Sequence, residues 1–269
     1  MTSATSDLDK QPFTAHLEEL RSRLIKCVIA VGVGFVISYF FKEKIFHVLT
    51  LPLINALQSG DHLIYTNLPE AFFTFLKAAF ICALMLASPV ILYQFWMFTA
   101  PGLYDKEKRL LIPILMLSVL FFVGGALFGY FVVFPFGFKF FLSFASDTIR
   151  PMPSIKEYLS FASKLLLAFG LVFELPLVIT FLARLGIVSV AVLKKFRKYT
   201  ILAIFVAAAI LTPPDLVTQI FMALPMILLY ELSIISARIF GRKKAPEDAT
   251  EEKQESTTSG ETDGMDSRP

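Results

Sequence analysis

Cysteine is almost missing from this chain of 269 residues: Cys27 and Cys82 are the two, and each sits inside an apolar run. That excludes a disulfide framework and any cysteine-built metal pattern. Histidine is nearly as scarce, and His16, His47 and His62 all lie outside the apolar runs. Charge is thin as well. A soluble domain of this size carries about 25% charged residues, whereas only 17% are charged here. No charged side chain occurs from Ala78 to Tyr104 or from Leu110 to Phe138. There is no Gly-x-Ser-x-Gly elbow, no phosphate-binding glycine loop and no dinucleotide fingerprint. A soluble catalytic or nucleic-acid-binding domain has no room in such a chain, and it is read as a non-enzyme without cofactor or metal.

What fills the sequence is hydrocarbon: 56% of residues are hydrophobic and the mean hydropathy is +0.68. The uncharged runs exceed the roughly 20 apolar residues that cross a bilayer. In lipid the backbone must satisfy itself, which leaves helices or closed barrels. Barrel strands alternate polar and apolar residues, and Ile112–Phe122 shows no such alternation, being apolar all round but for Ser118, so the spans are helices. Charges and prolines delimit six of them: Leu24–Phe41, Phe72–Phe98, Leu111–Phe136, Phe161–Ala183, Tyr199–Leu211 and Leu216–Ser236. The expected fold class is therefore all-α and polytopic, with residues 13–241 forming one six-span membrane domain. Residues 1–12 read as a polar N-terminal tail without a cleavable signal pattern, so the first span is expected to be retained. Residues 242–269 read as a disordered acidic tail. From Ala245 to Pro269 there are eight acids, two bases and no aromatic residue, which cannot bury a core.

Lysine and arginine set the expected orientation. Sixteen lie in segments on one side of the six-span plot and seven in the longer loops on the other. Both termini are thus expected in the cytoplasm. The fifth span, Tyr199–Leu211, is only 13 residues, about 20 Å of helix against a hydrocarbon core of ~30 Å. It joins the sixth through Thr212-Pro213-Pro214-Asp215, a tight turn.

Few polar residues stand out. Phe13, Leu17, Leu20 and Leu24 share one helical face, with Glu18 and Glu19 on the flanks and Glu19–Arg23 at i,i+4 spacing. The segment is either an amphipathic surface helix or a carboxylate presented to a cationic partner. Trp96 to Arg109 holds aromatics suited to a membrane interface, a Pro101-Gly102 turn, and the acids Asp105 and Glu107 among three bases. Glu174 lies mid-span, where a charge costs about 2.5–3.5 kcal/mol to insert. It is either hydrogen-bonded to a neighbouring helix or functional, and function is the favoured reading. Pro176 is expected to free a carbonyl and kink the helix there. Asp215 is most simply the cap of the last helix, and Glu231 reaches toward the interface.

Several segments together resemble the TatC family, the receptor subunit of the twin-arginine protein translocase. They are His16-Leu17-Glu18-Glu19-Leu20-Arg21-Ser22-Arg23, Ser88 to Trp96, and Phe98 to Tyr104 with Glu107 and Arg109. Phe169 to Pro176 and Leu211 to Asp215 complete the set, and the similarity runs from about Phe13 to Phe240. The resemblance implies a curved six-helix wall with a concave face in the bacterial inner membrane. It implies binding of signal peptides bearing adjacent arginines on folded cargo, through Glu19 and Glu107 with Arg21 and Phe98 in support. Arg21 and Arg109 would hold the two acids in place while unliganded, and Pro101 and Leu103 would shape the loop. Glu174 matches an acid facing the concavity, and with Asp215 it forms the intramembrane polar set. The partners implied are the single-span TatA and TatB subunits and further TatC copies, with the proton gradient as energy source.

The alternative from a different class is a proton-coupled small-solute transporter using Glu174. Transporters show broken helices and paired polar residues near the midplane. In the sequence Glu174 stands alone, and Pro113, Pro135, Pro176 and Pro225 are scattered.

Overall fold

The computed structural model describes residues 10–57, 62–99, 111–146, 150–212 and 215–241, without the side chains of 10–16 and 111. Pro101, Leu103, Glu107 and Arg109 lie outside the described residues, as do residues 1–9 and the tail from 242. The described chain is helical: α1 (Lys10–Phe40), α2 (Lys42–Ile54), α3 (Glu70–Thr99), α4 (Leu111–Phe128), a π-helical turn (Gly129–Val133), α5 (Phe134–Leu142), α6 (Ile155–Phe173), α7 (Leu175–Arg184), α8 (Val190–Leu211) and α9 (Leu216–Phe240). One isolated parallel bridge, Ile64 with Ser154, ties the connection after α2 to the start of α6. Five stretches are long and apolar enough to cross a membrane: Leu17–Phe40, Glu70–Thr99, Ile112–Leu142, Ile155–Arg184 and Leu216–Phe240. The 22-residue α8 falls outside that set, because Lys194, Lys195, Arg197 and Lys198 occupy its first half.

The helices pack along one another. α1 lies antiparallel to α3, α4 to α6 and α8 to α9, while α7 runs parallel to α9, with Thr180 beside Ser236 and Ala183 beside Gly241. Where they come close, the residues are small, as expected when helices associate without a hydrophobic drive. A Cβ on Gly34 would stand 3.1 Å from the Ala83 carbonyl oxygen, and Ala79, Ala83 and Ala87 on α3 are buried. α1 leaves most of its apolar surface facing outward, with only 11% of its span window buried.

The segment after Phe41 is not the plain loop that its lysines suggested. It is α2, whose Leu53 is buried in the main core while Ile45, Phe46 and Leu49 pack against that core. Apolar residues four apart at Ile45, Leu49 and Leu53 carry the amphipathic signal. Lys42, Lys44 and His47 on the other faces obscured it.

Prolines inside these helices orphan carbonyls, and at Pro52 and Pro89 neighbouring hydroxyls take up the bonds. Pro52 has no N–H for the Val48 carbonyl four residues back; Tyr130 of the π-turn donates its hydroxyl there at 2.6 Å. Pro89 likewise leaves the Met85 carbonyl, and Ser88 donates to it at 2.7 Å. At Pro176 the helix itself breaks. Glu174 stands at the junction between α6 and α7, and its carbonyl accepts from Leu177 N–H (3.1 Å) and Val178 N–H (3.0 Å). Ahead of Pro135 the chain widens into the π-turn, where Phe134 N–H reaches back to the Gly129 carbonyl.

The α4–α6 crossing depends on two glycines. A Cβ on Gly125 would run into the Phe169 carbonyl oxygen and stand 2.8 Å from the Phe173 Cβ, and one on Gly170 would stand 2.9 Å from the Phe122 ring. Replacing Gly125 by alanine is expected to destabilise the protein by about 1–3 kcal/mol through overpacking. Gly124→Ala, which meets nothing within 4 Å, should leave stability unchanged or slightly raised. Thermal unfolding of the two variants in detergent checks this; equal midpoints would mean that the crossing relaxes freely.

Candidate functional site

Two polar clusters hold Glu19 and Glu174. The first lies where the start of α1 meets the end of α3. Arg23 donates from Nε (2.9 Å) and Nη2 (2.6 Å) to Glu19 Oε1. Its Nη1 donates to Gln94 Oε1 on α3 at 3.3 Å. Gln94 is buried, while the Glu19 side chain keeps 34% of its surface exposed. An i,i+4 pair of this kind contributes only about 0.3–0.5 kcal/mol, so its consequence is orientation: the carboxylate is fixed relative to α3 and still reachable. The i,i+4 partnership read from the sequence is present. Arg21, read as a holder of the acids, is exposed, and Arg23 is a cation bonded to Glu19. Phe98 lies in the last turn of α3, partly buried.

The second cluster is fully inside the protein. Ser118 of α4 donates to Glu174 Oε2 at 2.6 Å, and Trp96 of α3 donates its indole Nε1–H to Ser118 Oγ at 3.0 Å. The ring of Trp96 meets Phe181 of α7 edge-on, centroids 4.8 Å apart. Exposures of 2%, 0% and 7% for Trp96, Ser118 and Glu174 place the whole chain of bonds out of contact with solvent. The indole can only donate, so the Ser118 oxygen accepts from it while the Ser118 hydroxyl bonds Glu174 Oε2. The other carboxyl oxygen, Oε1, is buried with no hydrogen-bonding partner among the described residues. An orphaned buried carboxyl oxygen carries a penalty on the order of 1–3 kcal/mol, so it is a feature that asks for a ligand.

This arrangement corrects one expectation: Trp96, read among interfacial aromatics, is core. The bond from Glu174 to a neighbouring helix, one of the two readings of this acid, is present, and the helix breaks beside Pro176 where a kink is expected. The sequence signal for Ser118 is a lone serine in the apolar run Leu110–Phe138, and hydropathy gives such a residue no weight.

The remaining sequence candidates have structural work. Asp215 caps α9, accepting from Thr218 N–H at 2.7 Å and from the Thr218 hydroxyl, as its position before the helix indicated. Glu231 pairs with Arg197 Nε of α8 at 2.6 Å. Gln219 donates to the Phe205 carbonyl at 3.0 Å, a second α8–α9 tie. Among the described residues, no group of three or more His, Cys, Asp or Glu could hold a metal ion.

Residues 15–225 match the family described as Sec-independent protein translocase protein (TatC). The chain belongs to the TatC family. The family protein of Desulforapulum autotrophicum is 60% identical over 255 residues, covering 95% of this chain and 93% of the relative. That of Escherichia coli strain K12 is 43% identical over 232 residues, covering 86% and 90%. A crystal structure described as the twin arginine translocase receptor TatC superposes with a TM-score of 0.78 at 42% identity, covering 84% of this chain and all of that one. As a TatC-family protein the chain is a multi-pass membrane component of the Sec-independent translocase, and the small-solute transporter alternative is not favoured. The resemblance read from the sequence motifs is thereby shown.

Because Trp96 is the only tryptophan in the chain, its fluorescence reports directly on the buried cluster. Ser118→Ala is expected to shift the emission to shorter wavelength and to lower stability by about 1–3 kcal/mol, since it leaves the indole N–H and Glu174 Oε2 unpaired. An unchanged spectrum and unfolding midpoint would show that the relay is not formed.

Proposed function

We propose that the protein is the signal-peptide receptor and core subunit of the twin-arginine translocase, engaging signals that bear adjacent arginines. The observation that carries this reading is the placement of Glu19. It is a partly exposed carboxylate, held by Arg23 and through Arg23 by Gln94, at the end of α3 where Phe98 stands. An arginine fork pairs bidentately with a carboxylate, and lysine matches that geometry less well. Glu107 supplies the second carboxylate, Arg21, Arg109 and Phe98 support the pair, and Pro101 and Leu103 shape the loop between them. The apolar stretch of the signal then runs along the spanning helices.

The chain crosses the bacterial inner membrane six times, with both termini in the cytoplasm. The lysine and arginine asymmetry supports that orientation. The short apolar stretch of α8, Tyr199–Leu211, thins the bilayer locally, where the single-span TatA and TatB subunits assemble with further TatC copies. Glu174 offers its unpartnered oxygen to a polar group on a partner helix or on the inserted signal, and transport draws on the proton gradient.

Site-specific photocrosslinking from Phe98 and Glu107 to a signal peptide tests the receptor reading. Labelling by an Arg-Arg peptide should be strong and should fall when both arginines become lysine. Glu19→Ala or Glu107→Ala should each weaken binding roughly 10- to 100-fold, as expected for a charge-assisted bond of about 1.5–3 kcal/mol. Equal labelling by both peptides, indifferent to either substitution, would mean that these carboxylates do not read arginines. For the thinning role, inserting one helical turn into Tyr199–Leu211 should reduce co-purification of TatA and TatB. Unchanged recovery would remove it.

A further inference from the structure

At the end of the bundle away from Glu19, Lys77 and Lys156 line one pocket, and Lys164 stands one helical turn beyond its Ser160 wall. On α6, Lys156, Ser160 and Lys164 are spaced four apart and share a face. Lys77 of α3 meets the middle of that stripe, donating to Ser160 Oγ at 3.1 Å. Lys164 is close enough for its charge to act on Lys77, and Glu157 acts on it with the opposite sign. Two ammonium groups set together on spanning helices repel each other, and ionisable groups in such segments mark binding or transport sites. The pocket holds about 610 Å³ and reaches from Lys156 to Lys77 along walls formed by Leu68, Phe73 and Leu159.

Glu70, the acid nearest the lysines besides Glu157, is already saturated. Its Oε2 accepts from Thr66 N–H (2.8 Å), the Thr66 hydroxyl (3.0 Å) and Asn67 N–H (3.3 Å). Its Oε1 accepts from the Ser154 hydroxyl (2.7 Å) and Lys156 N–H (3.2 Å). It therefore staples the connection before α3 to the start of α6 and holds the pocket open, with no lone pair left for a lysine. Three cations against Glu157 and this committed Glu70 leave a net positive charge around the Ser160 hydroxyl. Beside it, Leu68 is 93% and Phe73 61% exposed, an apolar shoulder at the level where spanning helices end.

We propose that this pocket binds the phosphate headgroup of an anionic phospholipid, with Lys77 and Lys164 on the phosphate, Lys156 at the rim, and Leu68 and Phe73 against the glycerol and acyl chains. Basic pockets between spanning helices suit anionic headgroups, and the lysine stems are long enough to carry their charges to the phosphate level. A free phosphate would use the same lysines without the apolar shoulder.

Native mass spectrometry of the full chain in detergent, titrated with phosphatidylglycerol, phosphatidylcholine or inorganic phosphate, tests the site. Phosphatidylglycerol should be retained in preference to phosphatidylcholine, and millimolar phosphate should not displace it. Lys77→Gln with Lys164→Gln should weaken retention by about tenfold or more, whereas Lys139→Gln on α5 should not. Trp96 emission identical to that of the unmodified protein certifies the fold of the double variant. If that emission changes, the charge-preserving pair Lys77→Arg with Lys164→Arg must retain the lipid and the single Lys164→Gln must lose it. Undiminished retention in the glutamine variants, equal retention of the two lipids, or displacement by phosphate alone would overturn the proposal.

Discussion

A carbonyl that loses its helical donor inside hydrocarbon has no water to turn to, and much of this fold follows from how that requirement is met. Pro52 and Pro89 each orphan an oxygen four residues back, and a hydroxyl is waiting at each: Tyr130 for Val48 and Ser88 for Met85. The first of these is tertiary. It fixes the short α2 against the π-turn, and the hydroxyl of Tyr158 adds a bond to the Leu49 carbonyl on the same helix. α2 thereby becomes a buried brace instead of a loose connection. At Pro176 the solution differs: the helix ends, the Leu171 and Val172 carbonyls are capped by backbone N–H groups, and a new helix starts at Leu175.

That break explains why an acid is tolerated at Glu174. A helix junction turns the side chain into the contact between α4 and α7, where Ser118 supplies a donor and Trp96 fixes the direction of that donor. A fully satisfied carboxyl would be inert. This one has one oxygen bonded at 2.6 Å and the other buried without a partner, a half-satisfied state that stays costly until a ligand arrives. The relay also connects distant parts of the molecule. Trp96 lies two residues from Gln94, which holds Arg23 and so Glu19. The carboxylate near the helix end and the one within the span are thus both referenced to the last two turns of α3.

Much of this was legible before any coordinates. Long uncharged runs specify helices in lipid, and five of the six expected spans have the length and apolarity to cross. Glu19–Arg23 followed from i,i+4 spacing and the Asp215 cap from its place ahead of an apolar run. The motif strings pointed to the family that the comparisons then showed. Other elements were opaque for physical reasons. α2 was hidden because its outward lysines broke the apolar signal. Trp96 was misplaced because an indole suits both an interface and a core with a hydroxyl acceptor. The Lys77–Ser160 contact joins residues 83 positions apart, beyond any local pattern.

The sequence by itself determined the solvent this chain lives in, the helical class, the family and the identity of the mid-span acid Glu174, because each of these depends on composition or on short-range spacing. Tertiary structure alone decided which hydroxyl meets which orphaned carbonyl, that Ser118 joins Trp96 to Glu174, and that lysines of α3 and α6 line one pocket. Those pairings lie between helices, and their positions are set by how side chains of particular volume pack where small residues let the backbones approach. No periodicity within one segment encodes that.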